Sequence, residues 1–372
     1  MANSIEFSSS FKNPRVILSI NLDAISTNYK ILSKLIHPIE SGAVIKANGY
    51  GLGAAEVAKT LAKVGCRSFF VAHLEEGIKL RKALWDHEIC ILNGLYSDSE
   101  QLYKDYQLLP VLGSLSEIKA WKGSDKRQPH PCCVHVDTGM LRLGLPSDEI
   151  EEIVKDKSTI DGLNIKYIMS HLATADEPSN RKNEEQLSKF LEIREIFPMG
   201  RASLSASSGI FLGKRYHFDL ARPGIAIYGA NPTPGRDNPM KPVITLRAQI
   251  IQIRNAKQSE TVGYGGSYQI TKNSQIATVA LGYADGFLRS LSNKTFGYIN
   301  NKKVPLVGKV SMDLATFDVT HIAKNTNLLD TWIEIIGPNH TIDEVAFEAG
   351  TISHEILTAL GDRYHRIYTK TP

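Results

Sequence analysis

Between about residues 24 and 229, eight short apolar runs alternate with segments of helical period, and few folds accommodate that order. The runs fall at 43–45, 69–72, 89–92, 108–112, 132–136, 167–169, 204–206 and 224–228. Between them, segment 54–64 sets Val57, Ala58, Leu61 and Val64 on one helical face, and 184–197 turns at a similar period through Leu187, Phe190 and Leu191. Parallel strands need crossovers and are covered on both faces, so their apolar character is nearly continuous. Eight alternating units therefore predict an α/β fold, a (β/α)8 TIM-type barrel.

The segment Asn231-Pro232-Thr233-Pro234-Gly235-Arg236-Asp237-Asn238-Pro239 cannot continue a ladder or a helix. Beyond it the texture changes to β-rich runs at 243–254, 275–281, 304–310, 315–319 and 332–336, with a helical patch at 342–360. The expectation is a barrel over 12–240 and a C-terminal antiparallel β domain over 241–372, with residues 1–11 a candidate addition to the latter. A length of 372 residues suits this, since one barrel takes about 250.

Apolar residues at 42% and charged ones at 22% describe a chain that buries a large core. The net charge of +4 is spread without single-sign blocks, which gives no electrostatic case for nucleic acid. Residues 1–10 lack a signal-like apolar stretch, and no run approaches the roughly 18 apolar residues of a membrane span, so a cytoplasmic protein is expected. Cys66, Cys90, Cys132 and Cys133 are too few for a disulfide framework and form no C-x-x-C pair; buried thiols are expected.

A barrel of this kind builds its active site at the C-terminal ends of its strands. Lys46 ends the first apolar run, before a turn with three glycines, where partial desolvation lowers an amine's pKa and makes it nucleophilic. Arg142 follows the fifth run on a loop with two glycines, a fork suited to a carboxylate or phenolate. His171 follows the sixth. The small-residue turn Ser205-Ala206-Ser207-Ser208-Gly209, after the seventh, and Ala221-Arg222-Pro223-Gly224-Ile225, at the eighth, occupy the place where such barrels hold phosphate. In the β domain, Tyr283 sits between glycines at a strand end, a candidate acid or base. Each has a plainer reading when taken alone: a surface lysine, a solvated arginine, a structural histidine, a packing tyrosine.

Taken in order, the segments are similar to the alanine racemases, pyridoxal-phosphate enzymes of fold type III. The matching stretches are AVIKANGYGLG at 43–53, DTGMLRLG at 137–144, SHLATAD at 170–176, ARPGIAIYG at 221–229, GYADGFLR at 282–289 and GKVSMDLATFDVT at 308–320. The resemblance implies pyridoxal 5'-phosphate as cofactor, with Lys46 as its Schiff-base lysine. Tyr50, Ser207, Gly224 and Ile225 match the phosphate-holding positions, Arg222 the arginine facing the pyridine nitrogen and His171 the histidine beside the ring. Arg142 matches the arginine near the cofactor's phenolic oxygen and the substrate carboxylate. Tyr283 matches a second acid/base supplied by a partner subunit, and Met312 and Asp313 match partner residues at the substrate entrance.

The implied function is interconversion of L-alanine and D-alanine by two-base proton transfer at Cα, with Lys46 on the D-face and Tyr283 on the L-face, supplying D-alanine for peptidoglycan. The implied assembly is a homodimer with shared sites. Three places depart from the family pattern: His135 or its neighbour stands where many members carry a modified lysine, Ser203 where a histidine often supports the tyrosine, and Asp362 in the inner-gate stretch.

Several rivals remain. A serine or broader-specificity racemase of the same design is the nearest. A basic-amino-acid decarboxylase would place a catalytic cysteine in the β domain, and all four cysteines precede residue 134. A non-catalytic cofactor carrier would have no use for the second domain, and a barrel aldolase would use its lysine directly on a sugar carbonyl.

Overall fold

The computed structural model describes residues 4–5, 13–124, 129–323 and 327–370. The chain divides into two compact units, Ile25–Met240 and the described parts of Met1–Ala24 with Lys241–Pro372.

In the first unit, seven parallel strands follow one another in chain order: Ala43–Val44, Ser68–Val71, Glu88–Ile91, Leu109–Leu112, Pro131–His135, Asn164–Met169 and Arg201–Ser203. Leu220–Ala221 closes the ring. It pairs in parallel with Glu40–Ser41 on one side. On the other, the N–H groups of Asp219 and Arg222 donate to the carbonyls of Ala202 and Ser205 at 3.0 and 2.8 Å. The α/β barrel expected from the alternation is present. Its strands are apolar on both faces because one face fills the barrel and the other meets helices: Ser68–Val71 and Leu109–Leu112 are buried at every position. All four cysteines are buried free thiols.

Two strand expectations shift. The seventh strand is Arg201–Ser203, just before the run at 204–206. The eighth is Leu220–Ala221, whereas Ile225–Tyr228 is a 3-10 turn. Pro223 has no N–H for a ladder, and the Ser207 hydroxyl accepts the N–H groups of Gly224 and Ala226 at 2.9 and 3.2 Å, so this apolar stretch curls.

The second unit is organised on one long strand, Ile244–Ala256, which pairs antiparallel with Val16–Asn21, Trp332–Ile336 and Ser274–Val279. Ser274–Val279 continues to Ala315–Asp318, and Trp332–Ile336 to Phe296–Ile299 and Lys302–Pro305. Val16–Asn21 falls within the range expected for the barrel but belongs here. It also pairs in parallel with His365–Thr369, so the sheet is not wholly antiparallel. The parallel pair is possible because the chain leaves for the whole barrel between these strands. Of residues 1–11, only the backbone of Ser4–Ile5 is described, pairing with His365–Thr369; the rest of that candidate addition lies outside the described residues. The helical patch resolves into Ile342–Ala349 and Ser353–Ala359, separated at Gly350, whose φ of 72° ends the first helix in a left-handed cap. Among the described residues no helix is long and apolar enough to cross a membrane.

Candidate active site

At the C-terminal end of the first barrel strand, buried Ile45 leads into half-buried Lys46 and then into a left-handed turn. Ala47, Asn48, Gly49, Tyr50 and Gly51 all have positive φ, at 52, 54, 64, 53 and 78°. Glycine tolerates this, but each of the other three residues carries about 1–2 kcal/mol of steric cost. Local hydrogen bonds offset it. Gly51 and Gly53 N–H groups donate to the Ala47 and Asn48 carbonyls, both at 2.8 Å. Ala54 N–H donates to the Asn48 side chain at 3.0 Å, and Ala47 N–H to Glu76 Oε1 at 2.6 Å. Strain retained at such a point is common where function needs one backbone shape.

The turn places Tyr50 against the eighth strand end. Its buried ring stacks on Tyr228, with centroids 4.4 Å apart, and a Cβ added at Gly224 would collide with the Tyr50 hydroxyl. Glycine is therefore required at 224 for this approach. Together with the Ser207 hydroxyl and the Gly224 and Ala226 N–H groups, the phenol forms a small polar cradle beside buried Ile225.

Lys46 lies among cations. Burial, then Arg142, lowers its pKa from the usual lysine value, against an opposing pull from Glu76. His171 is pushed down to about 3, by burial and then by Arg222, Arg142, His135 and Lys46. His135 is pushed down to about 4 by burial and the same two arginines. Buried Arg222 donates to the Ser203 hydroxyl and, at 2.5 Å, to the Ser170 carbonyl, and burial lowers its pKa to about 10. Among the described residues no ion pair joins Arg222 to a carboxylate. Ser203, at the position where relatives often carry a histidine, offers the hydroxyl that receives Arg222.

The Arg142 loop is held from below. Asp137 accepts the N–H groups of Gly139 and Met140 at 2.8 Å and that of Leu141 at 3.1 Å. Gln186 then joins this loop to the next, donating to Thr138 Oγ1 at 3.1 Å and the His171 carbonyl at 2.9 Å, and accepting the Ala173 N–H at 2.8 Å. Lys46, Tyr50, Arg142, His171, Ser207, Arg222, Gly224 and Ile225 thus all belong to one end of the barrel. Glu76, Gln186 and Tyr228 had not been singled out from sequence. Glu76 carries a local signal, a capping box with His73, which says nothing about the Ala47 N–H it also accepts.

The remaining predicted residues form a second cluster within the β unit. Tyr283 opens a 3-10 turn, and the N–H groups of Tyr283 and Ala284 donate to the Ser311 and Met312 carbonyls at 3.0 and 2.9 Å. Tyr283 and Met312 are 41% and 54% exposed, values that leave both side chains open at the unit's surface. Asp313 pairs with Arg363 at 2.7 Å.

A (β/α)8 barrel whose strand ends gather a lysine of lowered pKa and, among the described residues, an arginine without a carboxylate partner, followed in the chain by a β unit, defines a class: barrel proteins suited to an anionic ligand beside an amine. Comparison with known proteins narrows this. Residues 20–232 match the alanine racemase N-terminal domain, and residues 243–368 the alanine racemase C-terminal domain. An alanine racemase of Rickettsia canadensis is 45% identical over 356 residues, covering 95% of this chain and 99% of that one. A catabolic alanine racemase of Mesorhizobium japonicum is 44% identical over 355 residues, covering 95% and 93%. The crystal structure of alanine racemase from Bartonella henselae, with covalently bound pyridoxal phosphate, superposes with a TM-score of 0.92 at 40% identity, covering 96% of this chain and all of that one. The chain belongs to the alanine racemase family.

Proposed function

We propose that this protein interconverts L-alanine and D-alanine, with pyridoxal 5'-phosphate held in the barrel mouth. The residues present fit that cofactor. A phosphate finds the Ser207 and Tyr50 hydroxyls in one cradle with Gly224 and Ile225, beside the Gly224 and Ala226 N–H groups that close on Ser207, and an aldehyde finds the Lys46 amine, whose charge burial and Arg142 disfavour. His171 and Arg222 line the same end, and Arg222, as a donor that cannot accept a proton, suits an unprotonated ring nitrogen. When bound, the cofactor supplies an electron sink for the charge left on Cα after proton removal.

The chain's residues do the rest. Arg142 binds the substrate carboxylate with its planar fork. Racemisation takes a proton from one face of Cα and returns one to the other, so two proton-carrying groups are required. Lys46 Nζ takes the D-face and Tyr283 Oη the L-face. Tyr283 comes from a second copy of the chain, with Met312 and Asp313 lining the substrate's entrance, in a homodimer with shared sites. Supply of D-alanine for peptidoglycan, in the cytoplasm, completes the reading.

The observation that carries it is the gathering of Lys46, Arg142, His171 and Arg222 at one end of the barrel, where Arg222, Arg142 and Lys46 each depress the His171 pKa and Arg142 also lowers that of the lysine. The test is a racemisation assay on L-alanine and L-serine, with and without added cofactor, followed by borohydride reduction and peptide mapping. Cofactor-dependent turnover of alanine and label at Lys46 are expected. Faster turnover of serine moves the reading to a serine or broader racemase, and label elsewhere ends it.

A further inference from the structure

The turn carrying Tyr283 is gripped by backbone on two sides. A Cβ at Gly282 would collide with the Met312 carbonyl, and one at Gly286 with the Ala359 carbonyl. Gly361 N–H donates to the Asp285 carbonyl at 3.2 Å. One side chain ties these three segments together. Arg363 Nε meets Asp285 Oδ1 at 3.0 Å while its Nη1 meets Asp313 Oδ1 at 2.7 Å. Asp285 is buried, and its other oxygen accepts the Gly282 N–H at 2.8 Å, on the residue preceding the tyrosine.

We propose that Arg363 is the positioning residue for Tyr283: one guanidinium, by holding Asp285 and Asp313 together, fixes the tyrosine turn against the segment that carries Met312. The inference rests on the reading of Tyr283 as the proton carrier on the L-face. A rigid fork serves both carboxylates at once, which a lysine ammonium on a flexible stem does not. Burial raises the Asp285 pKa, Arg363 opposes that rise, and Asp313 adds to it. Without the guanidinium, Asp285 takes up a proton at higher pH and its hold on the Gly282 N–H weakens.

The test uses full-length, cofactor-loaded R363Q and R363K, assayed with L- and D-alanine deuterated at Cα. In R363Q, kcat falls about tenfold or more, the scale of a small displacement of a reacting group. The primary isotope effect grows for L-alanine and keeps its native size for D-alanine, the acid limb of kcat/KM moves to higher pH, and the visible spectrum of the bound cofactor is unchanged. R363K, which retains the charge and the fold, shows the same asymmetry at smaller amplitude. Isotope effects that stay native, or rise equally for both enantiomers, in either variant overturn the role of Arg363. Y283F separates the two ideas: full activity there removes the tyrosine reading itself, whereas lost activity in Y283F beside symmetric isotope effects in the arginine variants removes only the clamp.

Discussion

At the N-terminal ends of the barrel strands, Glu40 pairs with Arg201 at 2.6 Å and Glu88 with Lys166 at 2.8 Å, while at the C-terminal ends Lys46, Arg142 and Arg222 gather without such pairs among the described residues. The floor sets carboxylates directly against cations, with Asp219 beside Arg201 as well. The Tyr167 hydroxyl donates to Glu88 at 2.5 Å, and the Ser68 hydroxyl bridges Glu40 and Glu88 at 2.8 and 3.1 Å. The mouth has acids too, but they are spent on backbone: Glu76 accepts the N–H groups of Ala47, Ala72 and His73, and Asp137 those of its own loop. Electrostatic satisfaction marks the end of the barrel that holds it together. Cations without a carboxylate pair among the described residues mark the end suited to an anion.

Replacing one lysine at each end tests this contrast most severely. Lys46→Ala is expected to lower racemisation by on the order of 10³-fold or more and to remove the visible absorbance of bound cofactor. Lys166→Ala, on the floor, should leave both within about twofold, because a half-exposed surface pair contributes about 1 kcal/mol to stability and nothing to the chemistry. Comparable losses in the two variants would erase the distinction between the ends.

The mouth also predicts how stability of the cofactor-free protein responds to acid. Folding holds His135 and His171 near 4 and 3, below the unfolded value of about 6.5. In that window the unfolded chain binds more protons, so stability is intact above about pH 6.5 and falls as pH drops towards the folded values. Each histidine accounts for about 2 kcal/mol between pH 7 and pH 5. Urea unfolding at the two pH values measures this, and inorganic phosphate, by offsetting the arginines, should recover part of the loss at pH 5. A flat profile would mean that the mouth does not exclude protons as its geometry requires.

Much of the mouth was legible because its residues stand at strand ends, where apolar runs stop and glycines begin. Lys46 and Arg142 are visible in that way. What escaped was whatever depends on distant chain. Glu76 reads as a helix cap and becomes a partner of the Lys46 turn only when the second strand and its helix fold beside the first. The stretch 224–228 is as apolar as any strand, and it curls because a hydroxyl from the preceding strand end accepts its N–H groups. Val16–Asn21 precedes the barrel in sequence, yet its hydrogen-bonding partners lie beyond residue 240. Arg363 is likewise one charge among many until the β unit brings Asp285 and Asp313 to its two sides.

The smallest effect belongs to the floor, and it has the opposite character. Burial raises the Glu88 pKa, but hydrogen bonds from Lys166, Tyr167 and Ser68 and the lysine's charge outweigh it, leaving the carboxyl below its ordinary value. A depressed carboxyl contributes stability in full above the unfolded value of about 4.3 and loses it as pH falls further, a window below that of the mouth histidines. Glu88→Gln should therefore cost about 1 kcal/mol at pH 7 and soften the acid limb below pH 4. The slope between pH 7 and pH 5 and the turnover of alanine should both stay as they were. Denaturation of the variant at three pH values separates the two ends of the barrel: a change in the upper slope would show that floor and mouth share one network, and a change confined to the lower limb that they titrate independently.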